Sequence, residues 1–307
     1  MTTWTPASPA RAAARLPWLA LLAPLALAPS AWAGTPINER AAADPAGQVE
    51  ISNIAGSVVV TGWDRAEVEV TGELGKGAER LEFTRAGKLT RVKVIMPKQG
   101  SRSESSDLVV KVPAGGSISV NTVSADVSVQ GLRGSQRLQS VSGDIETQSA
   151  AEDVECKTVS GNVTVNGSGE RSLLTVTTVS GDAQVNRVAG EVNGNTVSGN
   201  FTIAMGDTAR SRLRSTSGDL GIRGRLVPEA RLDFESISGD IRLDLDGPVG
   251  AEFDVSTFNG DIDNCFGPKP VRTSEYAPGS ELRFREGQGS ARVRVKTLNG
   301  DISLCNK

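Results

Sequence analysis

Nine aspartate or asparagine residues recur at nearly fixed spacing: Asp126, Asp144, Asn162, Asp182, Asn200, Asp219, Asp240, Asp261 and Asp301. Stacked carboxylates could hold cations, which take oxygen ligands, or could bind sugar hydroxyls. The same side chains could instead bond the amides of local turns. Asparagine at 162 and 200 keeps those hydrogen bonds and discards the charge, which favours a structural turn ladder. Other reactive chemistry is sparse. The sequence has no histidine, so the commonest acid/base side chain and metal ligand is missing. Arg210, Arg212 and Arg214 alternate along the chain, as do Arg283 with Arg285 and Arg292 with Arg294. Alternation on a strand places such residues on one face, read here as a solvated one. No catalytic, cofactor-binding or metal-binding residue is assigned, and no cofactor is expected.

Cys265 and Cys305 each stand five residues after a glycine of the repeat described below. If their segments are neighbours, the thiols approach bonding range. If a full coil lies between them, their Cα atoms are ~9.6 Å apart and no disulfide closes. In an exported protein the disulfide is the expectation. Cys156 falls in an inward-facing column and is expected to be a buried free thiol.

The elements that carry these residues are repeats. Each Asp or Asn closes a Ser/Thr-x-Ser/Asn-Gly-Asp/Asn segment, from Thr122-Val123-Ser124-Ala125-Asp126, where alanine replaces glycine, to Thr297-Leu298-Asn299-Gly300-Asp301. The glycine position advances by 18, 18, 20, 18, 19, 21 and 21 residues, then by 40. A period near 20 with short strands is the signature of a solenoid. Apolar residues lie two and four positions after the glycine, as in Val163 and Val165 or Ile241 and Leu243. A second apolar column lies five before it: Leu138, Cys156, Val176, Leu213, Phe234, Val255 and Val295. These alternations predict an all-β fold, a single-stranded parallel β-helix with 18–21-residue coils and an irregular N-terminal β cap.

The N-terminus reads as a processing segment. Arg11 and Arg15 precede an apolar run from Leu16 to Ala28, and Ala31-Trp32-Ala33 is a cleavage signal. The expected organisation is a signal peptide at 1–33, a loose leader at 34–48, a β cap region at 49–116, and repeats at 117–307. A Pro-rich excursion is expected at about 267–289, and strands are expected from Val49 to Thr71 with a turn at Thr61-Gly62-Trp63-Asp64. Removing residues 1–33 deletes two arginines and leaves 31 basic against 36 acidic groups, a net charge of −5. That acidic balance argues against a nucleic-acid partner, and no later apolar run reaches the ~20 residues of a membrane span.

A signal segment, irregular strands ending in Val112-Pro113, stacked Ser-Gly-Asp repeats and a final Asn299-Gly300-Asp301-Ile302 coil together resemble the bacterial β-strand-repeat adhesin family, a domain of unknown function. The resemblance covers about residues 49–305. It implies a β-helix of the cell envelope, in the periplasm or at the cell surface, and brings no catalytic residues. The function expected from the sequence is an exported, non-enzymatic, adhesin-like or scaffold protein that binds an envelope component or glycan. Two other classes are a carbohydrate-active β-helix enzyme, which needs a cleft with paired carboxylates, and a partner in envelope stress sensing, which needs a discrete apolar patch.

Overall fold

The computed structural model describes residues 34–97, 104–274 and 277–306 and the first two residues. The rest of the expected signal peptide, and residues 98–103 of the Ser-rich loop, lie outside the described residues. Ala33–Lys307 forms one unit, and all its described regular structure is β-strand. The N-terminal strands are β1 (Thr35–Ala42), β2 (Gln48–Trp63), β3 (Glu67–Leu74), β4 (Arg80–Ala86), β5 (Leu89–Ile95) and β6 (Ser106–Pro113). The repeats give β7 (Ser117–Gln130), β8 (Gln136–Gln139), β9 (Ile145–Ser149), β10 (Val154–Lys157), β11 (Val163–Gly167), β12 (Arg171–Thr177), β13 (Ala183–Thr196), β14 (Phe201–Ser215) and β15 (Leu220–Ser238). The C-terminal strands are β16 (Ile241–Leu245), β17 (Ala251–Asn259), β18 (Ile262–Asn264), β19 (Val271–Ser274), β20 (Ala277–Glu286), β21 (Ala291–Asn299) and β22 (Ile302–Asn306).

The fold is all-β and solenoid-like, built on two parallel ladders that share their long strands. Before the corner the order is β5, β2, β7, β8, β10, β12, β13, β14, β15, β21, β17. After the corner it is β6, β2, β7, β9, β11, β13, β14, β15, β16, β22, β18. Every residue of the two inward columns quoted above is buried, because period-2 alternation sends them to the same side of each ladder.

Antiparallel strands cover both ends of the pre-corner ladder and the N-terminal end of the other. β4 lies on β5, β3 on β6 with β1 beyond it, and β20 on β17 with β19 beyond it. These strands cover parallel edges that would otherwise offer unpaired amides to another chain. At the C-terminal end Phe284 of β20 stacks on Phe253 with centroids 4.6 Å apart, and Phe266 tilts against both.

Three expectations need correction. The leader is not loose: Thr35–Ala42 pairs along its whole length with Leu74–Glu67. Only Ile37 of that strand is buried, so the main-chain ladder rather than an apolar pattern holds it. The turn expected at 61–64 falls at 64–66, where Trp63 Nε1 donates to the Glu67 carbonyl at 2.8 Å. The region read as an irregular cap begins with a regular coil, because β2 pairs with β7 from Gln48↔Ser117 to Thr61↔Gln130. Its corner, Asn53-Ile54-Ala55-Gly56, lacks the Ser-Gly-Asp signature and so escaped the repeat count.

The chain also departs from sequence order. The Gly300 coil lies between the Gly239 and Gly260 coils, since β22 pairs with β16 on one side and β18 on the other. The last strand of the chain is thus an interior strand. The 40-residue step to the final glycine accommodates this: β16 leads past one level to β17, the β19–β20 hairpin turns back, and β21–β22 fill the slot.

Close stacking explains the corner glycines. A Cβ on Gly181 or Gly218 would sit 1.9 Å from the carbonyl oxygen of Gly161 or Gly199 in the coil before. That is an overlap with backbone, which no rotamer change relieves. Gly260 and Gly300 additionally adopt positive φ, 151° and 152°.

Candidate ligand-binding groove at the C-terminal corner

The nine Asx residues lie in one column at the corner. The backbone N–H of Asp144 donates to Asp126 Oδ1, that of Asn162 to Asp144, and so on through Asp182, Asn200, Asp219 and Asp240, at 2.7–3.1 Å. The column then passes to Asp301, whose N–H donates to Asp240, and ends at Asp261, whose N–H donates to Asp301, both at 2.8 Å. Every bond needs one acceptor oxygen and no charge, so asparagine serves equally at 162 and 200. The bonds follow the coil order, with 301 before 261. Among the described residues no group of three or more His, Cys, Asp or Glu side chains could hold a metal ion.

The hydroxyl residues of the corner act similarly. Ser140, Thr158, Thr178, Thr196 and Ser215 each accept from the N–H of the glycine three residues on. Ser236 breaks the series: Gly239 N–H donates instead to the Asn299 carbonyl of the inserted coil, and the buried Ser236 Oγ has no hydrogen-bond partner among the described residues. The two stacked asparagines Asn259 and Asn299 join through their side chains at 2.8 Å.

Between the hydroxyl residue and the Ser/Asn of every corner but one sits an apolar side chain that points outward. Val123, Val141, Val159, Val179 and Val197 are 39–46% exposed and form a row, which Thr216 interrupts. Beyond it the row grows bulkier, through Ile237, Leu298 and Phe258 at 48–51%. There it meets the hairpin of β19 and β20, which rises beside the corner and forms a wall at Thr273 and Gly279. The result is a groove of about 710 Å³ with Ile237, Phe258 and Leu298 on its apolar side and Ser236, Thr257 and Thr297 among its floor residues. Arg214, Glu235, Glu281 and Lys296 bring charge to it; Arg214 pairs with Glu235 at 3.2 Å, and Arg283 with Glu281 at 3.8 Å. The volume lies within the range of small-ligand sites.

This groove is not among the sites expected from the sequence. The signal was the corner position itself, apolar in eight of nine copies where a solvated turn would be polar. The wall comes from the segment read as an excursion, and the inserted coil brings Leu298 between Ile237 and Phe258.

Cys265, in the turn just after β18, and Cys305 of β22 form a disulfide, with Cα atoms 4.9 Å apart. It ties the three-residue β18 to β22. Cys156 is free and buried, and burial, helped by Glu155, pushes its thiol up to about 12. It is therefore neutral and inert at ordinary pH. At the N-terminal cap Glu69 accepts from Lys111 at 2.8 Å and from Arg40; those bonds, Lys111's first, hold its carboxyl below the usual range.

The ladders and the groove define a class: an all-β, solenoid-like protein with a ligand-sized surface groove at one end. The chain belongs to the Toastrack DUF4097 family, whose model matches residues 48–305. Among solved structures, a "putative lipid binding protein" from Parabacteroides distasonis is 13% identical, with 89% of this chain and 98% of that one covered, at a TM-score of 0.52. A "putative adhesin" from Bacteroides fragilis is 11% identical over 89% and 97% of the two chains, at a TM-score of 0.43. At such identities the likeness concerns the fold. No curated protein matches the chain. Among the described residues no helix is long and apolar enough to cross a membrane.

Proposed function

We propose that the protein is an exported, non-enzymatic, adhesin-like binding protein of the cell envelope that holds an apolar moiety of an envelope component in the C-terminal corner groove. The signal segment at 1–33 is the basis for export to the periplasm or cell surface, and the domain organisation expected from the sequence goes with it. The two ladders are the arms of one single-stranded β-helix, and the Asx column is its corner fastening rather than a cation site.

The observation that carries the reading is the groove's composition. Three large apolar side chains, Ile237, Leu298 and Phe258, stand half-exposed together beside a hairpin wall, with charged groups around them. Exposed apolar groups gathered in this way mark binding sites. One protein of this fold carries a lipid-binding description, which fits an acyl-type ligand. The groove also holds two carboxylates, Glu235 and Glu281, the minimum for a glycan-cleaving enzyme. Each faces an arginine instead of a partner carboxylate, Arg214 and Arg283, as salt-bridged rim residues do.

A polyene fatty acid whose fluorescence rises in an apolar site is a direct probe. It is expected to bind the wild-type chain with one-site saturation, and the Ile237→Ser/Leu298→Ser variant at least about tenfold more weakly, given ~1.5 kcal/mol or more per buried aliphatic contact. Equal binding by both proteins refutes the groove as the site. Release of reducing ends from envelope glycans, abolished by Glu235→Gln, refutes the non-enzymatic assignment.

A further inference from the structure

The outer face of the pre-corner ladder carries a charge pattern independent of the groove. Strand register aligns its exposed residues into three rows that cross the strands. The second row reads Asn193, Arg212, Asp233, Arg294, Asp254, Arg283. The third reads Asn195, Arg214, Glu235, Lys296, Ser256, Glu281. Signs in the second row alternate, and its ion pairs follow: Arg212 with Asp233 at 3.7 Å, Arg294 with Asp254 at 3.8 Å and Arg283 with Asp254 at 3.1 Å.

The first row differs. It runs Glu191, Arg210, Arg231, Arg292, Glu252, Arg285, with three arginines consecutive on strands ~4.8 Å apart. Arg210 has Glu191 at 3.7 Å, and Arg285 has Glu252 at 3.7 Å. Arg231 and Arg292 have no carboxylate within ion-pair distance among the described residues. Like charges directly opposite one another destabilise a sheet. From β13 to β20 the three rows hold nine cations and six carboxylates, a local excess of three positive charges in a chain whose formal net charge is −3.

We infer that Arg210, Arg231 and Arg292 form a binding row for a linear polyanionic glycan, a sulfated or uronate polysaccharide lying across the strands. A guanidinium fork bonds planar or tetrahedral oxyanions in two-point fashion. The face is an open sheet surface, so a lone ion there stays hydrated and gains little, whereas recurrent charges along one chain engage successive arginines and add their contributions. At the β13 positions of the neighbouring rows Asn193 and Asn195 offer amides suited to sugar hydroxyls. The three rows contain no aromatic side chain on which a base could stack, as a single-stranded nucleic acid would require. From β13 to β20 they contain no apolar side chain to enter a bilayer either, and Leu173, next to Glu191 on β12, is a single exposed one.

The test compares the full chain with Arg231→Gln/Arg292→Gln and with Arg225→Gln/Lys269→Gln, which removes the same charge from exposed positions off the rows. Each is titrated at low salt with heparin, polygalacturonate, single-stranded DNA and anionic phospholipid vesicles. Heparin or polygalacturonate is expected to bind wild type and the off-row variant alike, and the row variant about tenfold or more weakly. Thermal melting reports the repulsion: the row variant is expected to melt at or above the wild-type temperature, which shows that its lost binding is not lost folding. Equal losses in both variants, no polysaccharide binding by wild type, or tighter binding of DNA or vesicles than of either polysaccharide would each overturn the inference.

Discussion

Alanine at Phe253 is expected to cost about 3–5 kcal/mol, the largest effect of any single substitution considered. Phe253 is buried, pairs in register with Val293 on one side and Phe284 on the other, and is the ring on which Phe284 and Phe266 pack. Its removal opens a cavity at the end of the core and releases the β19–β20 hairpin that walls the groove. Coils of a solenoid contact mainly their neighbours, so the damage stays local. Hydrogen exchange should quicken at Leu282, Phe284 and Val293 while Val120 and Val127 keep wild-type protection. Uniform acceleration along the chain would contradict this picture of end-capping.

Replacing Cys265 and Cys305 together by serine is expected to lower stability by about 4 kcal/mol, the chain-entropy value for a 40-residue separation. The structural consequence is specific. Among the described residues β18 has a single strand neighbour, β22, so the disulfide adds a covalent tie to a three-residue ladder and one buried side chain, Ile262. Chemical denaturation with and without reductant measures the effect. Coincident curves would show that the bond constrains nothing the coils do not already fix.

The repeat architecture was readable because its cause is local. One glycine per coil permits backbone contact with the next, one Asx per coil bonds the next amide, and two apolar columns fill the interior, so each coil restates the same requirement. The first coil was missed where these local terms are absent, at Asn53-Ile54-Ala55-Gly56. β1 was missed because its partner supplies main-chain bonds and its own side chains stay outside. The inserted Gly300 coil could not be read from spacing, since a 40-residue step fits either a skipped level or a long excursion. What betrays it in retrospect is asparagine at both 259 and 299, the pair that bonds across the two coils made adjacent. The groove depends on that insertion, so it was hidden with it. The arginines at 210, 231 and 292 are visible singly in the sequence, but their alignment into one row depends on strand register, which spacing does not carry.

Methyl NMR of the full chain titrated with the same fatty acid shows whether the C-terminal corner groove is the ligand site. Saturable shifts are expected for the Ile237 and Leu298 methyls, with Val123 and Val141 on the distant part of the same corner row unmoved. Shifts spread evenly along the row, or confined to residues away from the hairpin, would contradict that assignment.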